Sequence, residues 1–256
     1  MNIPFLIAHR GYPLHYPENT LESVEAALQT GACYVEIDIQ LTADGIVVLF
    51  HDDTLPRTTN ATGRLLDMNY DQLADVSAGE PGRFGKSFEN VHIPRLKDFV
   101  ALLKKWPDVT ALIEIKEESL QAFGTQVVVE TVIAELEPVK QQCIMISFDA
   151  DCLELTRRLD EFPIAWVLHR RDQASKKRAE IMKPDYLMCN YKKLPEFVSS
   201  SHDALWPGPW QWMLYEIIDP ELALFYAERG INFIETMNIG KMLEHPVLNT
   251  RKCFGS

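Results

Sequence analysis

The chain has 256 residues, of which 46% are hydrophobic and 24% charged, so it fits one large α/β domain or two small ones of ordinary globular composition. Its formal net charge of −12 argues against broad binding to nucleic acid or anionic membrane, since either needs an excess of Lys and Arg. No apolar run approaches the ~20 residues that span a bilayer, and with the first strand-like run so close to Met1 no secretory leader is expected.

That run, Phe5–His9, is apolar and leads into Arg10 and Gly11. A helix is expected over Leu21–Thr30, closed by Gly31. Tyr34–Ile39 reads as the next strand, and its period of two puts Glu36 and Asp38 on one face. Val47–His51 follows after only Thr42-Ala43-Asp44-Gly45. A parallel crossover needs a dozen or more residues, and Asp-Gly is a hairpin signal, so this strand is expected to be antiparallel. A four-residue loop would set His51 opposite Glu36, and a two-residue loop would set it opposite Asp38. Asp53–Pro94 is turn-rich, with Phe84 and Phe88 as apolar content. A small subdomain inserted over the barrel mouth is expected there, supplying walls for part of a ligand.

From Thr110 onward strand-like runs alternate with helix-period segments. The strands are Thr110–Ile115, Cys143–Ser147, Ile164–Val167, Tyr186–Met188, Gln211–Tyr215 and Asn232–Glu235. The helices are Gly124–Leu136, Asp151–Leu159, Ser175–Met182 and Pro220–Arg229, the last opened by Asp219 and ended by Gly230. Setting the hairpin strand aside leaves eight strands with helical crossovers, the count for a single-domain (β/α)8 TIM barrel. The five cysteines (Cys33, Cys143, Cys152, Cys189 and Cys253) are scattered, with no C-x-x-C pair. Reduced thiols in a cytoplasmic protein are expected, rather than a disulfide framework or a thiolate zinc site.

Ionisable groups close the first, second and fourth of these nine runs: His9 with Arg10, Glu36 with Asp38, and Glu114 with Lys116. Barrel enzymes keep their chemistry at the carboxyl ends of the strands. Glu36, Asp38 and Glu114 offer only oxygen donors, which suit a hard divalent cation, Mg²⁺ first and Ca²⁺ second. His9 and His51 are the candidate general acid and base, because imidazole titrates near neutral pH. Arg10 and Lys116 would give an anion a local positive site in an acidic chain. Taken singly, each carboxylate also reads as a solvated or ion-paired surface group. Trp206, Trp210 and Trp212 would either cup a cationic alcohol, with Trp212 as the substrate contact, or simply pack.

Taken together, several segments resemble glycerophosphodiester phosphodiesterases of the cytosolic bacterial type. They are Ala8-His9-Arg10-Gly11, Pro17-Glu18-Asn19-Thr20, Val35-Glu36-Ile37-Asp38, Leu41–Gly45 and Leu49-Phe50-His51-Asp52-Asp53. Ile93–Leu96, Ile113-Glu114-Ile115-Lys116 and Ser147-Phe148-Asp149 extend the likeness. The resemblance implies a metal-dependent hydrolysis of small-molecule glycerophosphodiesters to glycerol 3-phosphate and an alcohol. It assigns catalysis to His9 and His51, metal ligation to Glu36, Asp38 and Glu114, and phosphate contacts to Arg10 and Lys116. In its mechanism the substrate's own glycerol 2-hydroxyl attacks phosphorus. Glu18 is expected either to orient neighbours at the rim or to belong to a helix cap. The likeness thins toward the C-terminus: the seventh strand carries Trp212-Met213-Leu214-Tyr215 and the eighth ends in Glu235-Thr236, where relatives carry Trp-Thr-Val-Asn and Thr-Asp or Ser-Asp. Two rival readings are a phosphatidylinositol-type phospholipase, which the acidic chain does not favour, and a non-catalytic phosphodiester-binding barrel. No stable membrane association is expected, and the sequence leaves the oligomeric state open.

Overall fold

Alternation along the strands sorts the apolar side chains into two cores. The computed structural model describes residues 2–194 and 205–253. Its strands are β1 (Phe5–His9), β2 (Tyr34–Leu41), β3 (Val47–Leu49), β4 (Thr110–Ile115), β5 (Cys143–Ser147), β6 (Ile164–Val167), β7 (Tyr186–Asn190), β8 (Gln211–Tyr215) and β9 (Phe233–Thr236). β1 pairs in parallel with both β2 and β9, which closes the eight parallel strands into a barrel. β3 lies outside that ring, antiparallel to the end of β2.

Val35, Ile37 and Ile39 of β2, like Leu6 and Ala8 of β1, point outward into the layer shared with the helices. Ile7, Leu112, Ile146, Met213 and Phe233 fill the barrel interior. The interior begins with an aromatic plug at the amino ends of the strands. There the Phe233 ring lies 5.2 Å from Phe5, 5.2 Å from Tyr34 and 5.5 Å from Tyr186. The same parity turns His9, Glu36, Asp38, Glu114 and Glu235 inward at the opposite end.

Helices leave that end with side-chain caps. Thr20, Asp149, Asp172 and Asp219 each accept a backbone N–H from the first turn of the helix that follows, a contact worth about 0.5–2 kcal/mol against Ala. Helices over Leu96–Leu103 and Glu117–Phe123 add to those read from sequence. The second is separated from Thr125–Leu136 by Gly124, whose φ of 84° stops helical continuation.

Residues 53–94 hold short helical turns around Leu55, Leu65, Leu73 and Ile93, which pack on Val48 and Phe50 of the hairpin. This satellite core is tied to the barrel through Glu80, whose Oε1 accepts the Glu18 backbone N–H at 2.7 Å.

Two expectations need correction. The hairpin register is Leu41 against Val47 and Ile39 against Leu49, so neither proposed loop length applies. Thr42 N donates to the Ile46 carbonyl at 2.9 Å, making a five-residue loop that sets His51 level with Ile37, between the two expected partners. The thiols are not all reduced. Cys33 and Cys253, 220 residues apart, form a disulfide with a Cα–Cα distance of 5.1 Å. Closure of the barrel brings the chain's last described turn beside the start of β2, and no local spacing announces that contact. Cys143, Cys152 and Cys189 are free and buried.

Candidate active site

The sequence Ala8–Gly11 turns sharply because Arg10 and Gly11 both adopt positive φ, 55° and 87°. A Cβ on Gly11 would stand 2.5 Å from the Ser23 backbone, so only glycine lets the first helix approach. The turn aims the Arg10 N–H at Glu36 Oε2, 3.0 Å away. Gly11→Ala is expected to destabilise the fold by more than about 2 kcal/mol, since the strain and the clash act together; a urea melt checks this, and an unchanged midpoint would refute it.

From there the Arg10 guanidinium reaches three groups. Nη1 donates to Glu18 Oε1 at 2.8 Å, Nε lies 3.1 Å from Asp38 Oδ2, and Nε also donates to His9 Nε2 at 3.2 Å. Asn19, with φ of 53°, donates from Nδ2 to Asp38 Oδ2 at 2.8 Å and accepts the Asp38 N–H at 3.0 Å. Pro17–Thr20 therefore does both jobs considered for it. Thr20 caps the helix, while Glu18 and Asn19 lock Arg10 and Asp38.

Lys116 sits between carboxylates, with Nζ 2.8 Å from Glu114 Oε1 and 3.4 Å from Asp38 Oδ1. Burial works against the charge of Asp38, but Arg10 and Lys116 outweigh it and hold the carboxyl far below the usual carboxylate range. Glu36 moves the other way: burial, then the charges of Asp38, Glu235 and Glu114, push it well up. Burial and neighbouring carboxylates raise Glu114 and Glu235 likewise. The centre thus holds more buried carboxylates than cations.

Among the described residues, two donor sets have ligand atoms within 4.8 Å of one another, Glu36–Asp38–Glu114 and His9–Glu36–Glu235. Glu36 Oε1 is buried with no hydrogen-bond partner. An orphaned oxygen amid like charges is what a divalent cation would satisfy, so these side chains fit one.

The histidines arrive differently. His9 is the last residue of β1 and is buried; Glu216 Oε2 stands 3.4 Å from its Nδ1 and Glu235 Oε2 3.8 Å from its Nε2. Burial, then the Arg10 charge, lowers its pKa, so the ring is neutral at pH 7. His51 follows β3, where Gln40 Nε2 donates to the carbonyls of Phe50, His51 and Asp52 and pins the turn. Its Nδ1 lies 2.7 Å from Asp52 Oδ1. Arg57 then forks twice, taking both Asp52 oxygens at 2.6 and 2.8 Å and both Glu18 oxygens at 2.7 Å. A continuous polar chain runs from His51 through Asp52, Arg57 and Glu18 to Arg10.

His9, Arg10, His51, Glu114, Lys116, Tyr215, Glu216 and Glu235 line one cleft of about 230 Å³, with Phe148, Val167, Met188 and Asn190 as its far wall. Glu36 and Asp38 are buried beneath it. Trp212 is not brought there; it faces the helix layer with Leu214 and donates from Nε1 to the Trp206 carbonyl at 3.2 Å. The parity of β8 explains this, because Met213 and Tyr215 take the interior face. Among the described residues, none from 53–94 lines the cleft; that segment reaches its residues through Arg57 and Glu80. Sequence reading assigned no individual role to Asn19, Asp52, Arg57, Glu216 or Glu235; Asn19 and Asp52 carried a signal, as neighbours of Glu18 and His51 in the segments that bear the resemblance.

Known proteins resemble the chain in sequence and in fold. The model of the glycerophosphoryl diester phosphodiesterase family matches residues 9–233. Glycerophosphodiester phosphodiesterase 1 of Bos taurus is 34% identical over 164 residues, 64% of this chain and 48% of that protein. A Bacillus altitudinis glycerophosphodiester phosphodiesterase is 32% identical over 154 residues, 60% of this chain and 62% of that one. The chain thus spans about half the length of the mammalian relative. The solved structure of an Oleispira antarctica phosphodiesterase, in complex with the product sn-glycerol-3-phosphate, superposes with a TM-score of 0.81 at 25% identity, covering 94% of this chain and 96% of that one.

Proposed function

We propose that this chain, which belongs to the glycerophosphoryl diester phosphodiesterase family, hydrolyses glycerophosphodiesters to glycerol 3-phosphate and an alcohol. The observation that carries this is one cleft in which two imidazoles and two cations stand over a buried carboxylate cluster. The product bound by the Oleispira antarctica enzyme supports the substrate class. Room of about 230 Å³ suits a small diester better than a phospholipid, since pockets for drug-sized ligands run to ~300–1,000 Å³.

Glu36, Asp38 and Glu114 would hold a divalent cation, Mg²⁺ before Ca²⁺. When bound, that ion supplies Lewis-acid polarisation of the phosphoryl oxygens. Arg10 and Lys116 bind the single negative charge of the diester and offset what builds during attack. His9, neutral at pH 7, takes the proton of the glycerol 2-hydroxyl as that oxygen attacks phosphorus. His51, oriented through Nδ1 by Asp52, gives a proton to the departing alkoxide. Water then opens the cyclic phosphate with the two roles exchanged. Glu18 keeps Arg10 aimed, and Trp212 serves packing. A cytoplasmic site of action remains part of this reading, and alkylation of Cys33 and Cys253 in freshly lysed cells tests it.

Arg57 positions both ends of the polar chain, so Arg57→Ala is expected to lower kcat roughly 10–100-fold, the usual size of losing a supporting contact. Arg57→Lys should not restore it, because a point charge cannot fork to two carboxylates; full rescue by Lys would show that charge alone matters.

The direct test is a coupled assay for glycerol 3-phosphate with glycerophosphocholine, glycerophosphoethanolamine and bis-glycerophosphate, run beside dispersed phosphatidylinositol. Turnover of the soluble diesters supports the proposal; cleavage of phosphatidylinositol alone, or of nothing, defeats it.

A further inference from the structure

Charge is spread unevenly along this acidic chain. Residues 170–193 carry eight Lys and Arg against three Asp and Glu, although the whole chain stands at −12. The barrel brings part of that excess to the cleft, because the loops after β6 and β7 rise from its far wall, where Val167, Met188 and Asn190 line the cavity. The turn Tyr191–Lys193 starts on Asn190, whose Oδ1 accepts the Lys192 N–H at 3.0 Å. Lys193 Nζ donates to the His169 carbonyl at 2.8 Å, and the His169 ring packs 4.5 Å from Phe148, another residue of that wall. Arg170 comes next in the chain and is exposed, as are both lysines. Arg178 of the same segment is met by Asp151 and Glu154. Among the described residues Arg170, Lys192 and Lys193 have no ion-pair partner, and the Glu117 carboxylate at this rim stands instead 3.2 Å from His169 Nε2. Carbonyl contacts satisfy donors of the Lys193 ammonium but leave its charge unbalanced.

We propose that Arg170, Lys192 and Lys193 form a rim subsite for a second anionic group on the substrate, so that the enzyme prefers diesters whose alcohol itself bears a phosphate. This rests on the function proposed above and names its substrate class. Arg10 and Lys116 serve the reacting phosphate and are already engaged with Glu18, Asp38 and Glu114; the rim cations are separate from them and face solvent. Unpaired cations on a protein of opposite net charge concentrate anions where they stand. Lysine serves phosphate as a point charge, without the fixed geometry of a fork. Continuity with the cleft selects the occupant: Tyr191–Lys193 begins on a residue that lines it, so the anion belongs to the molecule bound there. The Glu216 carboxylate stands on the β8 side of the mouth, which directs an anionic alcohol toward β6 and β7.

Steady-state kinetics on the full chain compare bis-glycerophosphate with bis(glycerophospho)glycerol, which has the same two glycerol ends and one more phosphate. At low salt kcat/KM should favour the second by about fivefold, the size of one exposed ion pair, through KM rather than kcat. Salt at about 0.5 M should close the gap by screening. In the triple variant Arg170→Gln, Lys192→Gln, Lys193→Gln, its fold checked by circular dichroism, the preference should vanish while bis-glycerophosphate is cleaved as before. Because Lys193 also holds the His169 carbonyl, the double variant Arg170→Gln, Lys192→Gln is measured beside it and should show a reduced preference. Equal kcat/KM for the two diesters in the native chain overturns the proposal, as does a preference that survives the substitutions. Faster cleavage of glycerophosphocholine than of bis(glycerophospho)glycerol, which would set a cation beside Glu216, overturns it too. If neither diester is cleaved, the proposed function fails, and calorimetry with the same two compounds still decides the rim by whether the added phosphate tightens Kd about fivefold.

Discussion

His9→Ala and His51→Ala are each expected to lower turnover roughly 10²–10⁴-fold, the range for losing a general acid or base. The double variant should fall little further than the worse single one, because one proton route serves both steps. The two should differ in pH profile. His9 is held neutral by burial and Arg10, so its loss removes the limb on which activity rises with pH. Loss of His51, which Asp52 orients through Nδ1, should leave that rising limb in place. A single variant with near-normal kcat would make that histidine structural.

Exhaustive chelation is expected to abolish turnover, and Glu36→Gln to abolish both turnover and stabilisation by Mg²⁺. An ion at 100 times its Kd adds about 2.7 kcal/mol to the native state, an easily read rise in Tm. In cation-free protein the sign reverses. Glu36 is raised by burial and by three neighbouring carboxylates, so charging it opposes folding. A raised carboxylate contributes stability that is full below its unfolded pKa of ~4.3 and lost as pH climbs through its folded value. Cation-free protein should therefore weaken as pH rises above the ordinary carboxylate range, and Glu36→Gln should weaken less. Asp38, held low, contributes oppositely: its stability is lost only as pH falls below the ordinary range. Affinity for Mg²⁺ should grow with pH over the same window, because binding expels protons. Thermal melts across pH, with and without Mg²⁺, check every sign. Full activity after chelation would sink the metal assignment.

Much of this centre was legible because strand periodicity is local. Glu36 with Asp38, and Glu114 with Lys116, need only a period of two to share a face, and eight β-favouring runs with helical crossovers imply closure. What escaped depends on the chain meeting itself. The hairpin register turned on one extra loop residue, Ile46, held by Thr42. Trp212 was placed by composition rather than parity, and parity turns it outward. Arg57 sits in an irregular segment whose path is set by Leu55, Leu65 and Leu73 packing on Val48 and Phe50, which no periodicity encodes. Cys33 and Cys253 meet only because the barrel closes. The same limit hid Glu216, which follows β8 and reaches His9 past the intervening β9.

The packed rings of Phe5, Tyr34, Tyr186 and Phe233 make the cleft a blind alley. A reactant and both products must use one doorway, so departure becomes ordered in time. On the proposed reaction the alcohol would leave first, as the cyclic phosphate forms. Glycerol 3-phosphate, bound by Arg10 and Lys116, would leave last and return to the empty enzyme. Inhibition by glycerol 3-phosphate should accordingly be competitive against the diester, and inhibition by the alcohol noncompetitive. A barrel open at both ends would impose no such queue.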